Sequence, residues 1–64
     1  MEKIRFIRKY EFYRKTYYDI IYSSGRRFTV DTDRIPKTAK AFIETHSGKE
    51  QYDITSKRYE TIYS

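Results

Sequence analysis

The chain has 64 residues, no cysteine, one histidine and a formal net charge of +5. This length allows one domain over residues 1–64, while the missing cysteines exclude disulfides and cysteine-based metal sites and the lone histidine argues against a zinc site. Its uncharged stretches are far shorter than the ~20 residues that cross a bilayer, and no signal-peptide pattern occurs, so we expect a cytoplasmic protein without a membrane partner.

Residues 3–13 are rich in aromatic and β-branched side chains, which favours a strand. Alternate residues of a strand form two faces. The core face would consist of Ile4, Phe6, Tyr10 and Phe12, and the opposite face of Arg5, Ile7, Lys9, Glu11 and Tyr13. A helix is the alternative, with one stripe made of Phe6, Ile7, Tyr10 and Tyr13. We expect the next turn at residues 14–16.

Residues 17–31 have the clearest pattern, a β-hairpin with both arms rich in β-branched and aromatic residues. Gly25 can adopt the left-handed backbone that closes a three-residue loop at residues 23–25. A two-residue loop would move Phe28 and Val30 to the face of Asp19, and register follows the buried face. The longer loop places Tyr22 opposite Arg26, Ile20 opposite Phe28 and Tyr18 opposite Val30. The apolar members of these pairs then share one face, and the other face holds Tyr17, Asp19, Ile21, Arg27, Thr29 and Asp31.

A helix is predicted at about residues 36–46. Pro36 suits its first turn, because the N–H that proline lacks is not needed there. Gly48 is expected to stop the helix just past its last turn. One helical face would be formed by Ile35, Ala39, Phe42 and Ile43.

Residues 50–63 are expected to return to strand. The parity of the apolar positions changes between Ile54 and Tyr59, which indicates a bulge or a turn near residues 56–58. A short terminal helix from Ser56 is the alternative, because Tyr59, Ile62 and Tyr63 also fit helical spacing.

Together these elements predict an α+β fold of order β-β-β-α-β, with a fifth strand if residues 50–63 divide in two. One helix would pack on one face of a small, mainly antiparallel sheet. The expected core consists of Ile4, Phe6, Tyr18, Ile20, Tyr22, Phe28, Val30, Ile35, Phe42, Ile43 and Ile54.

The sequence contains no recognisable catalytic or cofactor site. His46 has no identifiable partner that would make it a general base. Asp31 and Asp33 precede the helix, where carboxylates ordinarily cap free N–H groups rather than hold magnesium. We therefore expect no enzymatic activity, no cofactor and no metal.

The whole excess of positive charge lies in the N-terminal half. Residues 1–30 contain eight Lys or Arg against three acids, whereas residues 31–64 contain six of each. The face opposite the helix would carry rings between cations, and single-stranded nucleic acid suits such a face because bases stack on rings while cations contact phosphates. A solvated strand face that resists aggregation would explain the same charge. We expect sequence-nonspecific binding of nucleic acid, DNA rather than RNA, at Arg5, Lys9, Tyr13, Tyr17 and Arg27.

Two other classes of function involve the same residues. Ile7, Ile21 and several tyrosines would leave the face opposite the helix apolar enough for a homodimer to cover it. A tiny, basic, cysteine-free sheet-and-helix protein also resembles the accessory proteins of phages and mobile elements, including anti-CRISPR proteins, which implies a protein or protein–nucleic-acid target. The layout is similar to PC4-type single-strand DNA-binding domains, in which a helix backs a curved sheet. There the helix follows all the strands, whereas here residues 50–63 follow the helix.

Overall fold

Five antiparallel strands and one α-helix make up the fold in the computed structural model, which describes residues 2–64. The elements are β1 (Ile4–Phe12), β2 (Lys15–Tyr22), β3 (Arg27–Asp31), a short 3-10 helix (Thr32–Arg34), α1 (Lys37–Thr45), β4 (Gly48–Asp53) and β5 (Arg58–Tyr63). The strands form one sheet in the order β3-β2-β1-β5-β4. The predicted α+β fold is therefore confirmed, including its fifth strand.

The β2–β3 hairpin has the predicted register. Ile20 pairs with Phe28 and Tyr18 pairs with Val30. Gly25 has a φ of 92°, its N–H donates to the Tyr22 carbonyl, and the Tyr22 N–H donates to the Arg26 carbonyl at 2.9 Å. A glycine in the left-handed region thus closes the loop, as its freedom from a Cβ allows.

From Phe6 onward the faces of β1 are the reverse of the prediction, whereas Ile4 packs against the core as predicted. Ile7 lies opposite Ile20 and is 0% exposed, whereas Phe6 lies opposite Ile21 on the face turned away from α1. A register shift between Ile4 and Phe6 lets Ile4 pack against the core as well. The imperfect alternation of β1 does not reveal this shift. Because the hairpin register places Ile20 in the core, Ile7, which pairs with Ile20, must lie on the same face.

The β1–β2 turn is tighter than expected and lies one residue earlier. Phe12 pairs with Lys15, so Tyr13 and Arg14 form a two-residue turn, with φ values of 49° and 66°. Both residues occupy the left-handed region that hairpin turns of this kind require and that Asn-Gly ordinarily supplies. Side chains with a Cβ adopt this backbone only at an energetic cost.

The β4–β5 hairpin corrects two further expectations. Ile54 was assigned to the core but lies in the turn between the strands and is 82% exposed. Gly48 begins β4 instead of ending the helix: a Cβ at this position would lie 2.6 Å from Cε1 of Tyr63, so glycine is needed for close approach. Phe6 and Phe28 are also outside the buried core.

Helix α1 covers only one end of the sheet. Ala39 is fully buried against Ile7, Ile20 and Val30, and Phe42 packs at the edge of this cluster. The Asp31 carboxylate accepts from the Arg34 N–H at 3.1 Å and so caps the 3-10 helix. Within residues 2–64, no helix has the length and apolar character needed to cross a membrane.

The two ends of the sheet differ in which residues lie there and how exposed they are. The helix-covered end holds the core cluster, with Ile7, Ile20 and Val30. The turn end is formed by residues 11–16 of the β1–β2 turn and residues 52–59 of the β4–β5 turn, which lie side by side because Tyr10 pairs with Glu60. Among the described residues, five of the six exposed large hydrophobic side chains lie at the turn end, namely Phe12, Tyr13, Tyr52, Ile54 and Tyr59.

Candidate nucleic-acid interface

The middle of the open face, the sheet face turned away from α1, carries a buried polar network. Asp19 and Glu60 are each only 5% exposed. The Arg8 guanidinium lies between them, with Nη1 4.0 Å from Oδ2 of Asp19 and Nε 3.5 Å from Oε2 of Glu60. One cation thus serves two carboxylates, which offsets part of the cost of burying them.

Neutral side chains complete this network. The Tyr10 hydroxyl donates to Oδ1 of Asp19 at 3.1 Å and the Thr29 hydroxyl donates to the same oxygen at 2.7 Å. Gln51 donates to Oε1 of Glu60 at 3.2 Å. Burial of the Tyr10 hydroxyl, together with the neighbouring Asp19 carboxylate, raises the pKa of Tyr10 above its ordinary value of 10.0. The network therefore holds Tyr10 as a neutral donor and anchors its ring on the open face.

An aromatic cluster of Tyr10, Phe12, Tyr13 and Tyr17 extends from this anchor to the turn end. The rings of Tyr10 and Tyr17 stack with centroids 6.0 Å apart, and the ring of Phe12 meets Tyr17 edge-on at 6.4 Å. Phe12 also meets Tyr13 at 4.4 Å. Phe12 is 48% exposed and Tyr13 is 86% exposed, so the outer half of the cluster presents ring surface to solvent.

Cations surround this cluster. The Arg58 guanidinium lies 4.1 Å from the Tyr10 ring centroid and 6.0 Å from that of Phe12. Arg27 is close enough for its charge to act on the Tyr10 hydroxyl. Arg14 and Lys15 flank Tyr13 in sequence, and Lys15 pairs with Phe12 on the open face. The cluster thus combines exposed rings with charges that attract anions.

The structure brings together two of the five residues that the sequence predicted for the interface, because the rings of Tyr13 and Tyr17 both meet the ring of Phe12. Arg27 lies on the open face but pairs with Ile21, away from the turn end. Lys9 pairs with Tyr18 and Thr61 on the helix side, so its predicted place on the open face is wrong. Arg5 lies at the register shift near the other end of β1, beside a cavity of about 370 Å³, and does not join the cluster.

Sequence reasoning missed three members of the site. Tyr10 and Phe12 were predicted on the same face as Ile4 and Phe6, toward the helix, because the parity of β1 was reversed. Arg58 was predicted within a bulge or turn at residues 56–58, and the sequence does not show which strand lies beside it. Pairing β1 with the hairpin through Ile7 and Ile20 would have revealed both rings, since their parity is opposite to that of Ile7.

Elsewhere the described residues offer little chemistry. Within residues 2–64, no group of three or more His, Asp or Glu side chains is placed to hold a metal ion. His46 stacks on Phe42 with ring centroids 3.7 Å apart, and its Nδ1 lies 2.8 Å from the Phe42 carbonyl oxygen. His46 therefore packs against the C-terminal end of α1 and does not face the aromatic cluster.

The comparisons with known proteins assign no function to this site, so its function is inferred from its geometry. That geometry consists of an anchored ring at Tyr10, exposed rings at Phe12 and Tyr13, and cations at the same end of the sheet. The chain matches no protein-family model, no curated protein and no solved structure.

Proposed function

We propose that the turn end binds single-stranded nucleic acid without sequence preference, with bases stacked on the aromatic cluster. The observation that supports this most is the exposed pair of Phe12 and Tyr13, whose rings lie 4.4 Å apart beside Tyr17. Each ring offers a face or an edge to solvent. Stacking on such rings tolerates every base, because every base has a π-face.

The rings of Tyr10 and Tyr17 hold the exposed ring of Phe12 in position. Tyr10 is fixed by its hydrogen bond to Asp19 and by the Arg58 guanidinium over its ring. Tyr17 stacks on Tyr10, and Phe12 packs against Tyr17. A platform that is already ordered loses less conformational entropy when a base binds than a flexible one would.

Charge at the turn end supports contacts to phosphates. The turn end, residues 11–16 and 52–59, contains the cations Arg14, Lys15, Lys57 and Arg58 and the acids Glu11 and Asp53. If about four cations each contact one phosphate of a single strand, log K should fall with log salt with a slope near −3. Duplex DNA keeps its bases stacked on each other, so it should bind more weakly to the rings.

The cellular location and the type of nucleic acid stay as the sequence predicted them. We place this activity in the cytoplasm, with DNA preferred over RNA and with no enzymatic step or cofactor. Contacts from Arg5 and Lys9 to nucleic acid stay a prediction, but they would have to come from outside the aromatic cluster.

Fluorescence anisotropy with a labelled thymidine oligonucleotide and a matched duplex tests the proposal. Phe12→Ala and Tyr13→Ala should each weaken single-strand binding about fivefold or more, since stacking contributes roughly 1–3 kcal/mol per base. Tyr52→Ala is the matched control: Tyr52 is 50% exposed at the same end but lies on the helix side of the sheet. That variant should bind like the wild type.

The charges are tested with a second matched pair. Arg14→Gln/Lys15→Gln should make the salt slope less steep by roughly 1.4, at about 0.7 per phosphate contact to a single strand. Lys37→Gln/Lys40→Gln removes the same net charge from the exposed side of α1 and should leave the slope unchanged. Failure of both oligonucleotides to bind below about 100 µM, weaker than ordinary nonspecific association, would refute the proposal. A protein target of the anti-CRISPR kind would then be the first choice.

A further inference from the structure

The two edge strands of the sheet differ in character. β4 is exposed along most of its length and carries charged or polar residues, with lysine at Lys49, as protected edges usually do. β3 has the sequence Arg-Phe-Thr-Val-Asp, and Phe28 on it is 48% exposed. A groove of about 390 Å³ runs along this edge and is lined by Tyr17, Phe28, Thr29, Val30, Asp31 and Arg34.

The hairpin geometry shows which backbone groups β3 offers to a partner. The Arg26 carbonyl accepts from the Tyr22 N–H, so it points toward β2. Successive residues of a strand direct their backbone groups to opposite sides. Phe28 and Val30 therefore bond toward β2, whereas Arg27 and Thr29 direct their N–H and C=O groups away from the sheet.

This pattern restricts the antiparallel registers open to a second copy of β3, and one of the permitted registers pairs all five residues of the strand. Residues with outward backbone groups must lie opposite each other, which is achieved with Thr29 opposite Thr29 of the second copy. Arg27 then lies opposite Asp31 of the second copy on the open face. On the helix side, Phe28 lies opposite Val30 of the second copy. Every cross-strand pair in this register is favourable: opposite charges, two apolar side chains, or two threonines.

We propose that β3 pairs with β3 of a second copy about a two-fold axis at Thr29, which joins the two sheets into one of ten strands. This pairing covers the exposed ring of Phe28 and satisfies the outward backbone groups of the edge. The aromatic clusters of the two copies lie at opposite ends of the joined sheet, because the two β3 strands run in opposite directions. The dimer leaves the exposed rings of Phe12 and Tyr13 free, whereas Tyr17 lines the β3 groove and Arg27 belongs to the dimer pair.

The β4 edge does not offer an equivalent partner surface. Pairing about Gln51 would also set Lys49 against Asp53 of the second copy, so opposite charges do not distinguish the two edges. The remaining pair would be Glu50 against Tyr52, with no contact between two apolar side chains. Apolar burial therefore favours β3.

Sedimentation of the full chain across a concentration series tests the proposal. The interface is smaller than the standard size of stable complexes, so we expect a dissociation constant on the order of 100 µM. Phe28→Lys should weaken dimerisation about tenfold or more, because lysine on an edge opposes pairing. Tyr52→Lys, which places lysine on the β4 edge at a residue of matched exposure, should leave dimerisation unchanged.

A charge exchange tests the register itself. Arg27→Asp alone sets two pairs of acids against each other, and Asp31→Arg alone sets two pairs of arginines against each other, so each variant should be monomeric where the wild type dimerises. An equimolar mixture restores both attractive pairs and should form a heterodimer. If Asp31→Arg fails to fold because its cap is lost, Phe28→Lys and Arg27→Asp decide on their own.

Three results would overturn the proposal: a wild-type monomer up to about 1 mM, well above the expected dissociation constant, a dimer that survives Phe28→Lys, or a mixture of the two folded charge variants that shows no heterodimer. Oligonucleotide binding is measured separately on the same variants. Phe28→Lys should keep its affinity for a single strand, so loss of the dimer and loss of nucleic-acid binding are distinguishable.

Discussion

The helix-covered end and the turn end of the sheet contain similar residues but use them in opposite ways. At the helix-covered end, Ile7, Ile20 and Ala39 are removed entirely from solvent. At the turn end, Phe12 and Tyr13 stay exposed and make mainly ring–ring and ring–cation contacts. Burial of apolar surface is the main source of stability. We therefore expect stability to reside at one end and binding at the other.

The difference has one cause on each face of the sheet. On the helix side, α1 and β1 have 9 residues each. A helix rises 1.5 Å per residue and so spans about 14 Å, whereas a strand of the same length spans about 30 Å, so α1 leaves Tyr52 and Tyr59 at the turn end exposed. Phe12 lies on the open face, which α1 does not cover.

Removal of a core side chain should have the largest effect on this contrast. Ile7→Ala should lower the free energy of unfolding by about 2–5 kcal/mol, because Ile7 is 0% exposed and its loss leaves a cavity. Urea unfolding followed by far-ultraviolet circular dichroism measures this loss. If the variant does not fold, Ile7→Val should still show a loss of about 0.5–1.5 kcal/mol.

Ile54 provides the matched control at the turn end. It is 82% exposed, so Ile54→Ala should change the free energy of unfolding by less than about 0.5 kcal/mol. Equal losses for Ile7→Ala and Ile54→Ala would show that the turn end is as strongly packed as the helix-covered end, and the contrast would fail.

The polar network between the two ends should have the next largest effect. Among the described residues, Arg8→Gln removes the one cation within 4.0 Å of the buried carboxylates of Asp19 and Glu60, which should cost about 1–3 kcal/mol, the lower half being favoured because the Arg8 side chain is 30% exposed. Arg8→Lys should recover part of this loss in the same urea experiment. A neutral result would mean that solvent reaches both carboxylates.

Relief of the strained turn should raise stability while lowering affinity. Tyr13→Asn/Arg14→Gly places the preferred residues in the left-handed region and should stabilise the protein by about 1–2 kcal/mol. The same change removes the exposed ring of Tyr13, so single-strand binding should weaken several-fold. Thermal melting and fluorescence anisotropy on the same sample measure both effects.

Arg14→Gly alone separates the two consequences. It relieves the backbone at Arg14 and keeps the Tyr13 ring, so it should gain stability with at most the loss of one phosphate contact. If the double variant bound as tightly as the wild type, Tyr13 would not belong to the interface.

The sequence was sufficient for the parts of the fold that local chemistry determines. The β2–β3 register followed from Gly25 and from alternation in both arms, and α1 followed from Pro36 and one apolar stripe. The faces of β1 could not be read in the same way, because the register shift between Ile4 and Phe6 breaks the alternation. Only pairing with Ile20 shows which parity is buried.

The site was less predictable than the fold for the same physical reason. Tyr17 and Arg27 lie on the open face as predicted, because the hairpin register was correct. Tyr13 was predicted on the first strand with the parity of Lys9, but it lies in the turn, where its ring meets that of Phe12. Lys9 was misplaced together with the rest of β1. Arg58 reaches the Tyr10 ring only because β5 pairs with β1, a contact between residues far apart in sequence.

The smallest expected effect is a pH dependence confined to the turn end. Hydrogen bonds from the Ser56 N–H and hydroxyl, and from the Thr55 N–H, lower the pKa of Asp53 below its ordinary value of 3.8. A carboxyl whose pKa is lowered on folding stabilises the folded state fully above the ordinary value, and this contribution disappears as the pH falls through the lower, folded value. Asp53→Ala should therefore lower the urea midpoint slightly at pH 6, and the gap to the wild type should narrow as the pH falls below the ordinary value of 3.8. Asp33→Ala, which removes the same charge from an exposed position within the 3-10 helix, controls for net charge. Hydrogen exchange of the Thr55 and Ser56 amides should quicken in Asp53→Ala while that of Ile7 and Ile20 stays slow, because the lost bonds belong to the β4–β5 turn alone. A gap that stays constant with pH would mean that Asp53 acts through its shape and not through its charge.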